Sequence, residues 1–359
     1  MEDPLYSLQQ LGWNDFFQSQ LGETPPDSIL ARVAGEQRGA YLLFAEHGAL
    51  DASVAGRFMH EATDRGDYPA VGDWVLARPL PGEAKAIVQS VLPRRSKLSR
   101  KSAGERTDEQ IMAANVDTVF LVAALNSELN IRRIERYLTV IWESGARPVI
   151  ILNKADLSDE GRALVARVEV IAPGVDVYLT SAVTDDGVEA VRPYLAEGQT
   201  VVFVGSSGVG KSSLVNRLLD TEQQAVHDVR ADGKGRHTTT TREMLAIPGG
   251  GLIIDTPGLR ELQLWDAEAG MGQTFSDVED IAADCPFSDC NHQAEPGCAV
   301  QAAIDAGTLD FGRLESYRKL QREQLFIESK KDYGLRLAQK KKWKAIHTAN
   351  RQRMKTLGK

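Results

Sequence analysis

A phosphate-binding loop is the first chemically informative feature of this sequence. Residues 201–219 read VVFVGSSGVGKSSLVNRLL, with a β-type run before the glycines and a helical segment after them. Glycines in such a loop let backbone N–H groups close around a β-phosphate, and the dipole of the following helix attracts the negative charge. Lys211 is expected to reach the β- and γ-phosphates, and the Ser212 hydroxyl to bind Mg²⁺. The predicted nucleoside triphosphate site consists of Gly205, Ser206, Ser207, Gly208, Val209, Gly210, Lys211, Ser212 and Ser213.

The choice of base is indicated by a second motif, Asn153-Lys154-Ala155-Asp156, which directly follows the strand-like run VIIL. A carboxylate can accept two hydrogen bonds from guanine N1–H and N2–H₂, whereas adenine presents no such pair of donors. The wrong base would leave a buried carboxylate unpaired, so this pairing discriminates strongly. We expect Asp156 to bind guanine, Lys154 to lie along the plane of the base, and Asn153 to brace neighbouring loops. Taken alone, the motif is a weak four-residue match that is also compatible with a turn in which Asp156 caps the next helix.

Three further segments at the ends of predicted strands extend this site. A T-S-A run contributes Ser181 and Ala182, whose backbone N–H is expected to meet guanine O6. The D-T-P-G run contributes Asp255, which would hold Mg²⁺ through water, and Gly258, whose N–H would contact the γ-phosphate. Between them, GKGRHTTTTR lies where the first switch is expected, with Thr239 as a hydroxyl ligand for Mg²⁺. Together with N-K-A-D, these segments predict a guanine-nucleotide site.

Hydrolysis of the nucleotide requires a group that orients the attacking water. Signalling GTPases place a glutamine directly after D-x-x-G, but this sequence has Leu259, which cannot hydrogen-bond to water. His237 in the first-switch run is the nearest candidate for the catalytic residue, because an imidazole can orient water near neutral pH. The alternative is that His237 only packs against its loop or caps it. Slow intrinsic hydrolysis is expected in either case.

Metal-binding side chains form a second cluster, Cys285-x4-Cys290-x-His292-x5-Cys298. Three thiolates and one imidazole can close a tetrahedral Zn²⁺ shell with no open position for water, so the predicted zinc ion is structural. Three buried cysteines and an unrelated histidine are the alternative. The cluster contains all three cysteines of the chain. An odd, clustered set is a poor disulfide framework, so we expect a reducing, cytoplasmic setting.

The elements that position these groups change in kind along the chain. Five short strand-like segments between residues 31 and 92 predict a β-barrel of the oligonucleotide-binding (OB) type, with an SH3-like barrel or a sandwich fragment as alternatives. The basic stretch that follows is a flexible linker, a nucleic-acid contact, or both. From 116 to 260, apolar strands alternate with helices, which indicates a parallel sheet covered on both faces. Ligands bind at the carboxyl edge of such sheets, where the nucleotide motifs are expected to converge.

The order of the nucleotide motifs is permuted. Ordinary small GTPases place the phosphate loop first, whereas here N-K-A-D at 153 and T-S-A at 180 precede the loop that starts at 205. This order, flanked by a predicted barrel and a Cys/His cluster, resembles the circularly permuted small-ribosomal-subunit biogenesis GTPases of bacteria (ribosome small subunit-dependent GTPase A). The resemblance covers nearly the whole chain, from about residue 30 to 330.

The resemblance implies a multidomain protein with an all-β OB-fold-type barrel, a circularly permuted α/β P-loop GTPase domain, and a C-terminal zinc-binding and helical module. It also implies hydrolysis of GTP to GDP and phosphate with Mg²⁺, stimulated by the small ribosomal subunit, during late maturation of that subunit. The predicted divisions are an N-terminal extension (1–30), the barrel (31–98), a basic linker (99–112), the GTPase domain (113–265), the zinc-finger and helical domain (270–330) and a basic tail (331–359).

The distribution of charge bears on the choice of partner. The net charge is −8, but residues 313–359 carry 15 Lys/Arg against 4 Asp/Glu. A basic end on an acidic body suggests a polyanionic partner, although a solvated helix face explains it equally well. We predict a monomer that binds GTP or GDP and the rRNA phosphates of the small subunit, with no membrane partner. The alternative is a nucleotide switch for a protein or an acidic membrane surface; N-K-A-D disfavours a third possibility, a P-loop kinase.

Overall fold

A computed structural model describes most of the chain outside the first-switch run, the D-T-P-G segment and the basic tail. The described residues are 6–22, 24–37, 39–101, 109–125, 129–219, 242–247, 250–255, 267–293 and 295–329. Along the chain they form a β-barrel, an α/β sheet and a helical module, which is the predicted fold class. No helix among these residues is long and apolar enough to span a membrane.

Five strands form the N-terminal barrel, and their bounds are β1 (Ile29–Gln37), β2 (Ala40–Ala45), β3 (Gly48–Val54), β4 (Trp74–Pro79) and β5 (Lys85–Val91). Their order is β1-β2-β3-β5-β4, and β4 pairs back with β1 to close the barrel. All neighbours are antiparallel except β3 and β5. The prediction of an OB-type barrel is therefore confirmed over the sandwich alternative.

A hairpin follows the barrel where the sequence analysis predicted a basic linker. Its strands are β6 (Lys97–Lys101) and β7 (Glu109–Ala114), which pair antiparallel. Within the predicted linker 99–112, the described residues 99–101 and 109–112 therefore lie in paired strands. The reason is apolar burial, because Leu98 and Met112 are no more than 1% exposed and belong to the largest hydrophobic core. The basic residues between them concealed this pattern.

Six strands form the α/β sheet, and their bounds are β8 (Thr118–Ala124), β9 (Arg147–Asn153), β10 (Asp176–Leu179), β11 (Thr200–Val204), β12 (Arg242–Ala246) and β13 (Leu252–Asp255). Their order is β10-β9-β8-β11-β13-β12; the first five are parallel, and β12 is antiparallel to β13. The apolar runs of β8, β9 and β11 are buried on both faces. The carboxyl ends of five strands therefore meet at one edge.

Nine α-helices are present among the described residues, and their bounds are α1 (Asp15–Gln20), α2 (Gly56–Glu61), α3 (Ile131–Glu143), α4 (Gly161–Ile171), α5 (Lys211–Leu218), α6 (Glu268–Thr274), α7 (Ser276–Ala283), α8 (Ala299–Asp305) and α9 (311–329). In α3, the Asn130 side chain caps the first turn. Ile134, Leu138 and Ile141 recur at helical spacing and are buried. Gly145, with φ of +80°, follows the helix.

Barrel and sheet are joined by hydrogen bonds as well as by the chain. β1 pairs antiparallel with β12, so the barrel strands continue the α/β sheet. Next to this junction the fully buried Arg32 donates to three backbone carbonyls, those of Leu11, Gly72 (3.2 Å) and Asn115 (3.0 Å). Burial lowers the pKa of Arg32 to about 10, which leaves it charged at neutral pH. One guanidinium thus connects the N-terminal segment, the barrel and the residue that follows the β6–β7 hairpin.

The helical module docks on α3 through charged groups. Glu135 of α3 is completely buried and accepts a hydrogen bond of 3.0 Å from Arg313 Nη1 of α9. Arg313 also bonds to both oxygens of Asp277 and to the Thr274 carbonyl, and it lies over the Phe275 ring at 4.5 Å. The guanidinium therefore has a partner on α3, one on α7 and one at the end of α6.

The buried ion pair gives a prediction about stability. Arg313→Ala should lower the free energy of unfolding by about 3 kcal/mol, because Glu135 would keep its buried charge with only Arg132 to pair it. Arg136→Ala removes a half-exposed pair with Glu323 and should cost about 1 kcal/mol or less. Urea unfolding followed by circular dichroism measures both. Equal losses in the two variants would show that burial of Glu135 does not set the strength of this interface.

Candidate nucleotide site and metal centre

The predicted phosphate loop connects β11 to α5 in a conformation that needs its glycines. Gly205, Gly208 and Gly210 have φ values of +137°, +79° and +96°, which L side chains rarely adopt. A Cβ on Gly205 would lie 2.1 Å from the Val122 carbonyl oxygen, and one on Gly210 would lie 2.2 Å from Asn153 Nδ2. Both positions therefore exclude a side chain for reasons of space as well as of conformation.

The residues between and after these glycines offer donors to an anion. Ser207 and Gly208 at the tip of the loop are exposed, whereas Val209 is buried beneath it. Lys211 begins α5, and its Nζ donates to the carbonyls of Gly205 (2.8 Å) and Ser206 (2.7 Å). Its ammonium is thus held at the loop, where the helix dipole also favours negative charge. This arrangement suits a polyphosphate. Ser212 and Ser213 follow in the first turn of α5 and are half-buried.

Asn153 joins the phosphate loop to the loops of the predicted base site. Its side chain is 1% exposed, and its Nδ2 donates to the Val209 carbonyl at 2.9 Å. Its Oδ1 accepts from the Thr180 hydroxyl and from the Ala182 backbone N–H, each at 3.2 Å. The carboxamide therefore uses both of its ends to connect three segments that are far apart in the sequence. This is the bracing arrangement that the motif predicts.

The other residues of N-K-A-D form a turn beside the T-S-A loop, in which Lys154 and Ala155 are half-buried and Asp156 is exposed. Lys154 has φ of +66°, and Ala155 and Asp156 start a 3₁₀ turn. The Ser181 hydroxyl donates to Asp156 Oδ1 at 2.6 Å and accepts from the Thr184 N–H at 3.2 Å. Ser181 thus orients the carboxylate assigned to guanine. Sequence reasoning placed Ser181 in the site for its backbone alone, since the hydroxyl contact becomes visible only once the two loops are adjacent.

Asp255, assigned to the Mg²⁺ side of the site, is the last residue of β13. It is half-buried at the carboxyl edge of the sheet, next to β11. Asp255 therefore shares that edge with the phosphate loop and with N-K-A-D. His237, Thr239 and Gly258 lie outside the described residues, so their roles stay predictions.

The four metal-binding side chains meet at one point in the helical module. The ligand atoms of Cys285, Cys290, His292 and Cys298 all lie within 4.8 Å of one another. Cys285 Sγ and Cys298 Sγ are 3.9 Å apart, and each lies 3.6 Å from His292 Nδ1. A tetrahedral Zn²⁺ site requires edges of about 3.8 Å between sulfurs and about 3.5 Å between sulfur and nitrogen. Both the donor set and the spacing therefore fit one zinc ion, with Nδ1 as the histidine ligand.

The electrostatic surroundings of these ligands differ from one to another. Burial raises the pKa of the Cys285 thiol, but backbone N–H groups of Val300 and Ala299 donate to the sulfur and bring the pKa below its ordinary value. Burial and the neighbouring thiols raise the pKa of Cys290 to about 11. Burial and the charge of Arg318 lower the pKa of His292, which keeps the imidazole neutral and able to bind a cation. A metal ion would therefore have to displace protons from thiols on binding.

Comparison with known proteins assigns the family. The model of the RsgA GTPase family matches residues 91–265. A small ribosomal subunit biogenesis GTPase RsgA of Opitutus terrae is 47% identical to this chain, and the alignment covers 98% of the chain and 99% of that relative. The chain belongs to the RsgA GTPase family.

Solved structures agree with this RsgA assignment. YjeQ from Thermotoga maritima is 29% identical with a TM-score of 0.63, and the match covers 83% of this chain and 99% of YjeQ. YloQ, described as a circularly permuted GTPase, is 22% identical with a TM-score of 0.60 and covers 86% and 99%. The second likeness bears on the fold alone. The predicted RsgA-type permuted fold is therefore confirmed.

The metal site gives a prediction about composition. The purified protein should contain one equivalent of zinc, and Cys290→Ala should lose it because three ligands leave the tetrahedral shell open. The exposed neighbour Asp289→Ala is the matched control and should keep its zinc. Elemental analysis of the variants measures the metal, and limited proteolysis reports whether 275–300 stays folded. Native protein without zinc would contradict the assignment.

Proposed function

We propose that this RsgA GTPase hydrolyses GTP to GDP and phosphate and acts on the small ribosomal subunit during its late maturation, with turnover stimulated by that subunit. The single observation that carries the nucleotide part is the carboxamide of Asn153, which holds the phosphate loop and the base loops together at one sheet edge. The ribosomal part is supported by the relative from Opitutus terrae, whose name includes small ribosomal subunit biogenesis.

Each nucleotide-binding residue has a distinct proposed role. Lys211 binds the β- and γ-phosphates, and Ser212 and Asp255 would hold Mg²⁺. Bound Mg²⁺ neutralises charge that develops on the phosphate oxygens. Asp156 accepts from guanine, and Ser181 holds its carboxylate in that orientation. These residues position GTP for an in-line attack without forming a covalent bond to it.

The metal cluster contributes structure, not chemistry. Cys285, Cys290, His292 and Cys298 would complete the coordination shell of one Zn²⁺ and leave no position for water or substrate. Holding them together fixes the 285–298 loop against α8, whose first turn donates to Cys285. The module then presents one defined surface to its partner.

Phosphates of rRNA are the proposed chemical target of the basic surface. Two arginines after the barrel are already engaged, since Arg94 pairs with the buried Asp73 and Arg95 with Asp117. Lys97 of β6 also pairs with an acid, Glu109 at 2.9 Å, but half of its side chain is exposed, so Lys97 and the residues 331–359 are the candidates for RNA contact. The chain would act as a monomer in the cytoplasm. An acidic membrane surface is the competing target for the basic tail.

A base-switched variant tests nucleotide and ribosome binding together. Asp156→Asn replaces an acceptor by a donor, so it should lose affinity for GTP and bind xanthosine triphosphate, whose extra oxygen accepts from the amide. Co-sedimentation with small subunits should then require a non-hydrolysable xanthosine analogue in the variant and a non-hydrolysable GTP analogue in the parent. GDP should support binding in neither.

Two controls separate the parts of this proposal. Asp159→Asn changes an exposed acid three residues away and should leave the preference for guanine unchanged. Vesicles of anionic lipid replace subunits in a parallel series. Unchanged GTP affinity in Asp156→Asn would refute the base assignment, and nucleotide-independent sedimentation, or stronger binding to the vesicles, would refute the ribosomal one.

The proposed water-orienting residue is His237. His237→Ala should keep its affinity for GTP but lower subunit-stimulated hydrolysis by about 10²–10⁴-fold, the range for loss of a general base or a water-positioning group. Leu259→Ala should have far less effect, since the leucine cannot hydrogen-bond to water. Single-turnover phosphate release with saturating subunits measures the rate. A His237 variant with parental stimulated turnover would exclude the histidine from this role.

A further inference from the structure

Three arginines near the start of α3 have different partners. Arg132 pairs with Glu135 of the same helix and with Asp310 before α9. Both terminal nitrogens of Arg136 donate hydrogen bonds to the carboxylate of Glu323 on α9, each at 2.6 Å. Arg133 has no carboxylate partner within the described part of the chain; its Nη1 donates to the Ser206 hydroxyl at 2.8 Å instead. The one arginine without a counter-charge is thus the one that touches the phosphate loop.

Arg133 and Lys211 converge on the same loop residue. Lys211 donates to the Ser206 carbonyl while Arg133 donates to the Ser206 hydroxyl. Two cationic side chains therefore approach the phosphate loop from different helices. A guanidinium prefers a charged, planar or phosphate acceptor to a neutral hydroxyl, because charge-assisted bonds are about twice as strong. The Ser206 contact is consequently weaker than one that an anion at this loop would offer.

The backbone of α3 holds Arg133 at this place. Its N–H bonds to the capping side chain of Asn130 at 3.1 Å, which fixes the first turn of the helix. The next turn of α3 is held by the pairs that Glu135 and Arg136 make with α9. The side chain of Arg133 is exposed and can therefore exchange partners, whereas the helical turn that carries it is held in place.

We propose that Arg133 is a specificity-determining residue that distinguishes GTP from GDP. This inference rests on the proposed function. With GDP, the guanidinium stays on the Ser206 hydroxyl; with GTP, it exchanges that hydroxyl for an oxygen of the γ-phosphate. Arg133 then supplies a second positive charge beside Lys211, and only for the triphosphate. The same helix bears the residues that contact α9. The arginine that recognises the γ-phosphate and the interface with the helical module therefore belong to one helix.

A purely structural role makes a different prediction. If Arg133 only supports the loop through Ser206, its loss should weaken GTP and GDP binding equally. Ser206→Ala should then reproduce the effect of Arg133→Ala. If Arg133 binds the γ-phosphate, Ser206→Ala frees the guanidinium and should leave GTP binding at least as strong as in the parent.

Equilibrium titration of the full-length protein tests the inference. The probes are fluorescent N-methylanthraniloyl GDP and the corresponding non-hydrolysable imido analogue of GTP, both with Mg²⁺. Arg133→Ala should weaken binding of the GTP analogue by about 10-fold or more, in line with loss of one charged hydrogen bond, and change GDP binding less than about 2-fold. Arg133→Lys should retain part of the difference because it keeps the charge. Arg167→Ala, an exposed arginine on α4, is the matched control.

The outcomes separate this inference from the function on which it rests. Equal losses for both nucleotides, or the same selectivity loss in Ser206→Ala, would overturn the role of Arg133 while leaving a GTPase in place. A parent protein that binds neither probe would overturn the proposed function itself. Should Arg133→Ala fail to fold, Arg133→Lys and Ser206→Ala still give opposite predictions for the two roles.

Discussion

The carboxamide of Asn153 is the group on which the geometry of the nucleotide site depends. It is buried, and it offers a donor and an acceptor that face in different directions. The donor holds the phosphate loop, and the acceptor holds the loop that follows β10. In a low-dielectric interior, such bonds are strong when made and costly when left open. No other residue type of this size supplies both ends in one plane, so an aspartate would release the phosphate loop and a leucine would release both loops.

Contacts between loops at one sheet edge explain how a circularly permuted chain forms a nucleotide site like that of an unpermuted GTPase. The sheet sets which loops are neighbours, and its strand order is independent of where the chain begins. β8, β9 and β10 come before the phosphate loop in the sequence, yet they lie beside β11 in space. Permutation therefore alters connections at the periphery, while the carboxyl edge keeps the contacts that matter for a nucleotide.

A second consequence of the fold is that α3 contacts both the phosphate loop and the helical module that carries the Cys/His cluster. One side chain reaches the phosphate loop, and others contact α9 and the residue before it through a buried glutamate and two further ion pairs. Packed interfaces of this kind transmit displacement better than a flexible connection does. At the other end of the sheet, Arg32 and the β1–β12 pairing fix the barrel. Both flanking units are thus attached to the GTPase body by buried polar contacts.

The sequence by itself determined the chemistry and the kinds of elements. Glycine spacing, the N-K-A-D motif and the Cys/His spacing constrain local backbone and ligand type, and these are short-range properties that residue order records. Alternation of apolar segments likewise indicated a parallel sheet and a barrel. The β6–β7 hairpin escaped this reasoning, because its basic residues concealed the buried Leu98 and Met112.

Only the tertiary structure decided which side chains meet across large separations in the chain. The Ser181 hydroxyl on Asp156, the Arg133 contact with Ser206 and the pair of Glu135 with Arg313 each join residues between 25 and 178 positions apart. Arg133 and Arg313 belong to none of the sequence motifs, and the motifs that contain Ser181 and Ser206 do not specify the partners of their hydroxyl groups. Their partners follow from how strands and helices pack, and packing depends on the shape of the whole core rather than on any local pattern.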